Sequence, residues 1–281
     1  MRHRPTWRPL KSTGKGWWQS FARRIHPVKN GLMTDFTTAR ATDYRELATA
    51  LSHALHLEVP PIAIAFTDKV PAGVPNFDEP MSDPTPDGRT GRVAAGCVFW
   101  IKAAEHSFTT VPDDHGNCSV GRYTHGLVSM TDIADSADVA ALFESEWVDV
   151  EAVGAIPVIS ERAEVITYSP LADASIAPDV VLLRVNGWQL MILSDALPGL
   201  RIEGKPQCQI VALAKEHGEV AASVGCALSR ARTGMRPDEM TFAMPGARLA
   251  EVVKAVQRVA AVDTVVAQYA AEGAQSFTTG T

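Results

Sequence analysis

The residues of this chain best suited to chemistry are its four cysteines, Cys97, Cys118, Cys208 and Cys226. Cys97 and Cys118 lie in CVFWIKAAEHSFTTVPDDHGNCSVGRYTHG, which also carries His115 and His125. Cys208 and Cys226 lie in CQIVALAKEHGEVAASVGCALSRARTG. The two stretches repeat one another. Each opens on Cys and carries Glu-His eight and nine residues later, Glu105-His106 and Glu216-His217. Each then reads Cys-x3-Arg-x3-Gly, with Arg122 and Gly126 matched by Arg230 and Gly234. Self-similarity of this kind reads as a duplicated unit. Two half-domains packed about a pseudo-twofold axis would bring two thiols each to related positions, where all four can meet.

Four readings of the cysteines are open. They are small buried residues, as free Cys commonly is. They form disulfides, Cys97–Cys118 and Cys208–Cys226, which conflicts with a reducing compartment. One of them, Cys118, is a nucleophile activated by Arg122, Arg230, His115 or His125. Or all four are ligands of a metal centre. Only the last uses every thiol. Zinc knuckles place cysteines two to four residues apart, and none occur here. Single cysteines spread over about 130 residues need the whole fold to gather them. That favours a buried [4Fe–4S] cluster over zinc, with no cofactor as the remaining alternative. His115, His125, Arg122 and Arg230 are the candidate catalytic or cluster-neighbouring residues. The Glu-His pairs read more simply as helix ends.

The rest of the chain must position these groups. Its 281 residues are 46% hydrophobic, enough for one large domain. A net charge of −6 gives no reason to expect nucleic acid. Residues 1–32 hold eight Lys/Arg and no acid, with Trp7, Trp17 and Trp18. They read as a disordered basic head or as sequence upstream of a start at Met33, and 276–281 as a tail. No stretch is apolar enough for a membrane span or a signal segment, so a cytoplasmic location is expected. Helical spacing predicts helices over 43–55, 97–105, 137–153, 188–197, 208–216 and 247–273. Strands are expected over 60–66, 108–111, 164–171, 178–185, 219–226 and 239–246. Residues 67–92, rich in Pro, Gly and Asp, read as a long loop suited to a lid. The mixture lacks a clean βαβ alternation and predicts an α+β fold, with pseudo-repeats over about 43–155 and 160–275. The Ala/Val-rich last helix reads as core or as the interface of a homo-oligomer.

The stretches PPIAIAF, GCVFWIKAAE, DDHGNCSVGRYTHG, PDVVLLRV, GKPQCQIVALA, SVGCALSRARTG and DEMTFAMPG resemble the prokaryotic DUF169 family, also called uncharacterised ArCR. The likeness spans roughly residues 43–275. It implies a domain over 33–275 and puts the family's four-cysteine pattern on Cys97, Cys118, Cys208 and Cys226. In SVGCALSRARTG this chain keeps Arg230 but departs from the Gly-Asn-Arg that usually follows the family's cysteine. The expected function is redox chemistry or sensing, or Lewis-acid chemistry on a small molecule, with a small substrate or a redox partner. A cofactor-free thiol enzyme using Cys118 and a non-catalytic ligand- or zinc-binding regulator are the alternatives.

Overall fold

Alternation along the strand VVLLRV sets the architecture. Val180 and Leu182 belong to one buried cluster, and Val181, Leu183 and Val185 to another on the opposite face. A strand apolar on both sides must be covered on both sides. The computed structural model describes residues 43–78 and 95–278. The basic head, the start at Met33 and most of the expected lid lie outside the described residues.

The strands are β1 (Ile62–Thr67), β2 (Phe108–Thr110), β3 (Val165–Pro170), β4 (Val180–Val185), β5 (Arg201–Glu203), β6 (Ala221–Ser223) and β7 (Met240–Pro245). They form one sheet in the order β2-β3-β1-β4-β7-β6-β5. All pairings are antiparallel except β5 with β6. The fold is α+β, as expected.

Among the helices, α1 (Tyr44–Leu55), α2 (Gly96–Lys102), α3 (Ser119–Thr124), α4 (Met130–Ile133), α5 (Ala137–Glu144) and α6 (Val150–Gly154) precede β3. After β4 come α7 (Gly187–Ala196), α8 (Gln209–His217), α9 (Ala227–Thr233) and α10 (Leu249–Thr278). One sheet face carries α1, α7 and α10, through Leu51, Leu55, Ile192, Leu193, Val252 and Val256. The other carries α2 and α8, through Val98, Phe99, Trp100 and Ile210–Ala214, with Cys97, Cys118 and Cys208 packed against it. Caps fix the starts of the covering helices. Asp43 accepts from the Arg45 and Glu46 amides, and Asn186 exchanges hydrogen bonds with Gln189 in a capping box.

The two ends of the sheet share their registers. Ile62 faces Pro170 across β1–β3, and Val180 faces Pro245 across β4–β7. Phe108 faces Tyr168, and Ala221 faces Ala243, two residues before each proline. Each proline leads into a short 3-10 turn. The next amide donates to the residue before the central strand in both cases, Leu171 to Pro61 and Gly246 to Asp179, each at 2.7 Å.

Two expected elements differ. The single helix over 137–153 is two, α5 and α6. The Glu146 and Trp147 amides turn back onto the Phe143 and Leu142 carbonyls, Glu146 adopts φ 55°, and Asp149 caps the next helix. The strand over 219–226 stops at Ser223, whose hydroxyl binds the Gly204 carbonyl while Gly225 turns the chain at φ 93°. β5 was not expected: its Arg201 and Glu203 are ion-paired and it has no alternating apolar face. Among the described residues, no helix is long and apolar enough to cross a membrane.

The matched glycines both take left-handed backbone, Gly126 at φ 68° and Gly234 at φ 60°. Their surroundings differ. A Cβ at Gly126 would lie 2.2 Å from the Ile159 carbonyl oxygen, whereas one at Gly234 meets nothing within 4 Å. Gly234→Ala should therefore cost about 1–2 kcal/mol, the left-handed penalty alone. Gly126→Ala should cost at least about 3 kcal/mol, because a backbone clash is added. Urea unfolding of the two variants checks this, and equal losses would contradict it.

Candidate functional site

Each cysteine sits where a helix begins. Cys97 is in the first turn of α2, and Cys118, Cys208 and Cys226 are the N-cap residues of α3, α8 and α9. All four are half-buried free thiols, and all four line one cavity of about 30 Å³, room for about one water. The fold thus gathers thiols from four helices into one place. Helix α9 packs on α2 across the cavity.

The neighbours of the sulfurs are polar. Thr124 Oγ1 lies 3.0 Å from Cys208 Sγ, and the Ser229 amide donates to Cys226 Sγ at 3.4 Å. Burial pushes the Cys97 thiol up to about 12, reinforced by Cys118 and Cys226 and opposed by Ser229 and Arg232. Burial also raises Cys118, against the Arg232 guanidinium and the Gly121 amide. Cys208 lies well above the usual thiol range, again through burial first and Cys118 next, with Thr124 opposing. Ser229 Oγ and Arg232 Nη1 favour the thiolates from nearby but fall short of hydrogen-bond geometry, so both atoms are buried without a partner. Gln207 Oε1, at the same cavity, is a third such atom.

The histidines stand behind this cavity and do not line it. A Cβ on Gly96 would lie 2.8 Å from His125 Cε1 and 3.9 Å from His115 Nδ1, so only glycine lets α2 approach them this closely. Both rings are buried, with centroids 6.1 Å apart. His115 Nε2 hydrogen-bonds with Thr110 Oγ1 at 3.0 Å. His115 Nδ1 and both nitrogens of His125 have no partner, and neither do the nearby Tyr168 hydroxyl and Trp100 Nε1. Burial holds His125 down to about 4. Burial, then His125 and Arg122, hold His115 well below its ordinary range. Both imidazoles are neutral near pH 7.

The two expected arginines face elsewhere. Arg122 stands 4.0 Å from Asp113. Arg230 donates to the Arg236, Val224 and Glu239 carbonyls and ties α9 to the strand that follows. The cation at the thiols is Arg232, which also donates to the Asn117 carbonyl. Sequence reasoning missed it because the repeat matched Arg122 to Arg230. The available signal is the sixth residue after each N-cap cysteine. That residue is Thr124 after Cys118 and Arg232 after Cys226, and each faces a thiol of the other stretch.

A groove of about 650 Å³ adjoins the cavity and shares Val120, Trp147 and Pro206 with it. Its walls include Phe143, Val153 and Ile156, and Lys205 stands over the Trp147 ring. Among the described residues, no group of three or more His, Cys, Asp or Glu side chains is arranged to hold a metal ion.

A family model described as Uncharacterised ArCR, DUF169, matches residues 50–255, and the chain belongs to this family. No curated protein and no solved structure matches it.

The buried histidines make stability depend on pH. Their folded pKa values are lowered, so the unfolded chain binds protons more readily. The neutral form's stability is present above about pH 6.5 and is lost as pH falls toward 4. Between pH 7 and 5 the loss from His125 alone should be about 2 kcal/mol. His125→Gln, which does not titrate, should flatten the stability-versus-pH slope over that window by this amount. An unchanged slope in urea titrations would show that His125 does not stay neutral in the fold.

Proposed function

We propose that this ArCR-family chain holds a [4Fe–4S] cluster through Cys97, Cys118, Cys208 and Cys226, and serves cytoplasmic redox chemistry or sensing, or Lewis-acid chemistry on a small molecule. The observation that carries this reading is the convergence of four thiols from four helix starts on one cavity. Four sulfurs around zinc, at about 2.3 Å from it, would stand about 4 Å apart. In a cluster the same four thiolates would bind separate irons and stand farther apart, which the cavity of about 30 Å³ permits only if the cysteine-bearing helix starts move outward. The donor set suits a cluster, since unpaired Ser229 Oγ and Arg232 Nη1 are placed to serve cluster or ligand sulfur.

We place this centre at the junction of two duplicated half-domains. The central β1–β4 pairing is antiparallel, and the order reads outward as β1-β3-β2 on one side and β4-β7-β6 on the other. Matching registers, prolines and 3-10 turns on the two sides support the same reading.

A cluster bound by all four thiols would supply one-electron transfer, and one bound by only three of them would leave an iron open as an electrophile. The chain's own groups do the rest. Thr124, Ser229 and Arg232 set the charge at the sulfurs. A small substrate would take the groove beside Trp147, with Lys205 at its rim. His115 and His125 act through the Gly96 wall, because they are sealed from the cavity. The raised Cys97, Cys118 and Cys208 thiols weigh against the cofactor-free reading, since the thiolate is the nucleophile.

Anaerobic purification tests this. The expected protein is brown, with about four iron and four sulfide per chain, and Cys208→Ser should lose most of both. A colourless wild-type protein that stays metal-free after anaerobic reconstitution would refute the proposal.

A further inference from the structure

We infer that the outer half of α10 is a docking face for a second copy of this chain, paired antiparallel about a twofold axis. Val256 is the last fully buried residue of this helix up to Gly273, and the helix continues to Thr278. From Ala261 to Gly273 every residue except Asp263 is exposed. Four large apolar side chains lie there, Val262, Val265, Val266 and Tyr269, at 59%, 64%, 57% and 61% exposure. Among the described residues they are the four most exposed of eleven exposed large apolar residues, and the others are spread over several elements. Their spacing of three, four and seven puts them on one stripe of the helix, the pattern of a two-helix seam.

A helix gains most of its stability from packing such a stripe. This one has no partner within the described fold, so its occupant must come from elsewhere. Charge selects a second copy in one orientation. Arg258 flanks the inner end of the stripe and Glu272 the outer end. An antiparallel pairing centred on Val265 and Val266 sets Arg258 of each copy near Glu272 of the other. A parallel pairing would set like charges together. The antiparallel arrangement is isologous, so it closes as a dimer and does not propagate. It leaves the thiol cavity, on the opposite sheet face, untouched by the contact, and it does not depend on the proposed cluster.

Sedimentation velocity on the full chain tests the inference. Wild type should sediment at twice the 30.2 kDa chain mass at micromolar concentrations. Val265→Glu should raise the dissociation constant at least tenfold with an unchanged circular dichroism spectrum. Arg258→Glu should weaken the dimer, and the charge-exchanged Arg258→Glu, Glu272→Arg variant should restore it. A monomeric wild type overturns the proposal, including the case where the basic head of the same chain covers the stripe. A dimer unaffected by Val265→Glu overturns it as well. Failure of rescue by the double variant overturns the antiparallel register.

Discussion

The antiparallel pairing of β1 with β4 is the contact on which the site depends. Ile62 faces Leu182 and Ile64 faces Val180 in that pair, and these residues turn to the same sheet face. That face receives α2 and α8, the helices that begin at Cys97 and Cys208. Side chains alternate along a strand, so a one-residue slip would turn one half of the sheet over relative to the other. Cys97 and Cys208 would then lie on opposite faces, and no single cavity could hold four thiols. The site is therefore specified by hydrophobic register at the centre of the sheet, some distance from any sulfur.

Electrostatics then limits what the gathered thiols can be. Burial raises at least three of them, and neighbouring thiolates oppose each other's ionisation. Among the described residues, the cation acting on them is Arg232. Arg122 and Arg230 face Asp113 and backbone carbonyls. One guanidinium cannot balance four thiolates in a partly dry cavity. Left alone, the group is stable as neutral thiols. As thiolates it needs positive charge from something it binds, and metal coordination deprotonates a thiol outright. The scarcity of protein cations is thus consistent with a ligand set and awkward for a nucleophile.

Much of this was legible in sequence because the signals are periodic. Strands β1, β3, β4 and β7 and helices α1, α7, α8 and α10 follow their apolar patterns closely, and the cysteine repeat pointed to one shared place. What was not legible depended on contacts distant in the chain. The break at Glu146 follows from caps on both sides of it, whereas the apolar spacing runs through it. β5 has no apolar face to announce it. The roles of the arginines were read from the repeat, but Arg230 meets backbone carbonyls and Arg232 acts on the thiols. His115 and His125 were expected to be catalytic or cluster-neighbouring, and their burial behind the thiol cavity depends on Gly96, a residue with no side chain to attract notice.

That glycine bears on why the two stretches differ. The residue before the helix-start cysteine is Gly96 in the first and Gln207 in the second. The seventh residue after the N-cap cysteine is His125 in the first and Thr233 in the second. A Cβ at 96 would collide with the His125 ring, so the first stretch pairs a missing side chain with a large ring. The second pairs a long amide with a small hydroxyl, and Gln207 and Thr233 line one small space together with Cys97. Close packing permits a large group at one of the two positions in each stretch, not both. Each arrangement keeps a polar group behind a thiol, but only the first makes it titratable. The imidazoles behind the thiols therefore stand only on the side of Cys97 and Cys118, although the thiols come equally from both stretches.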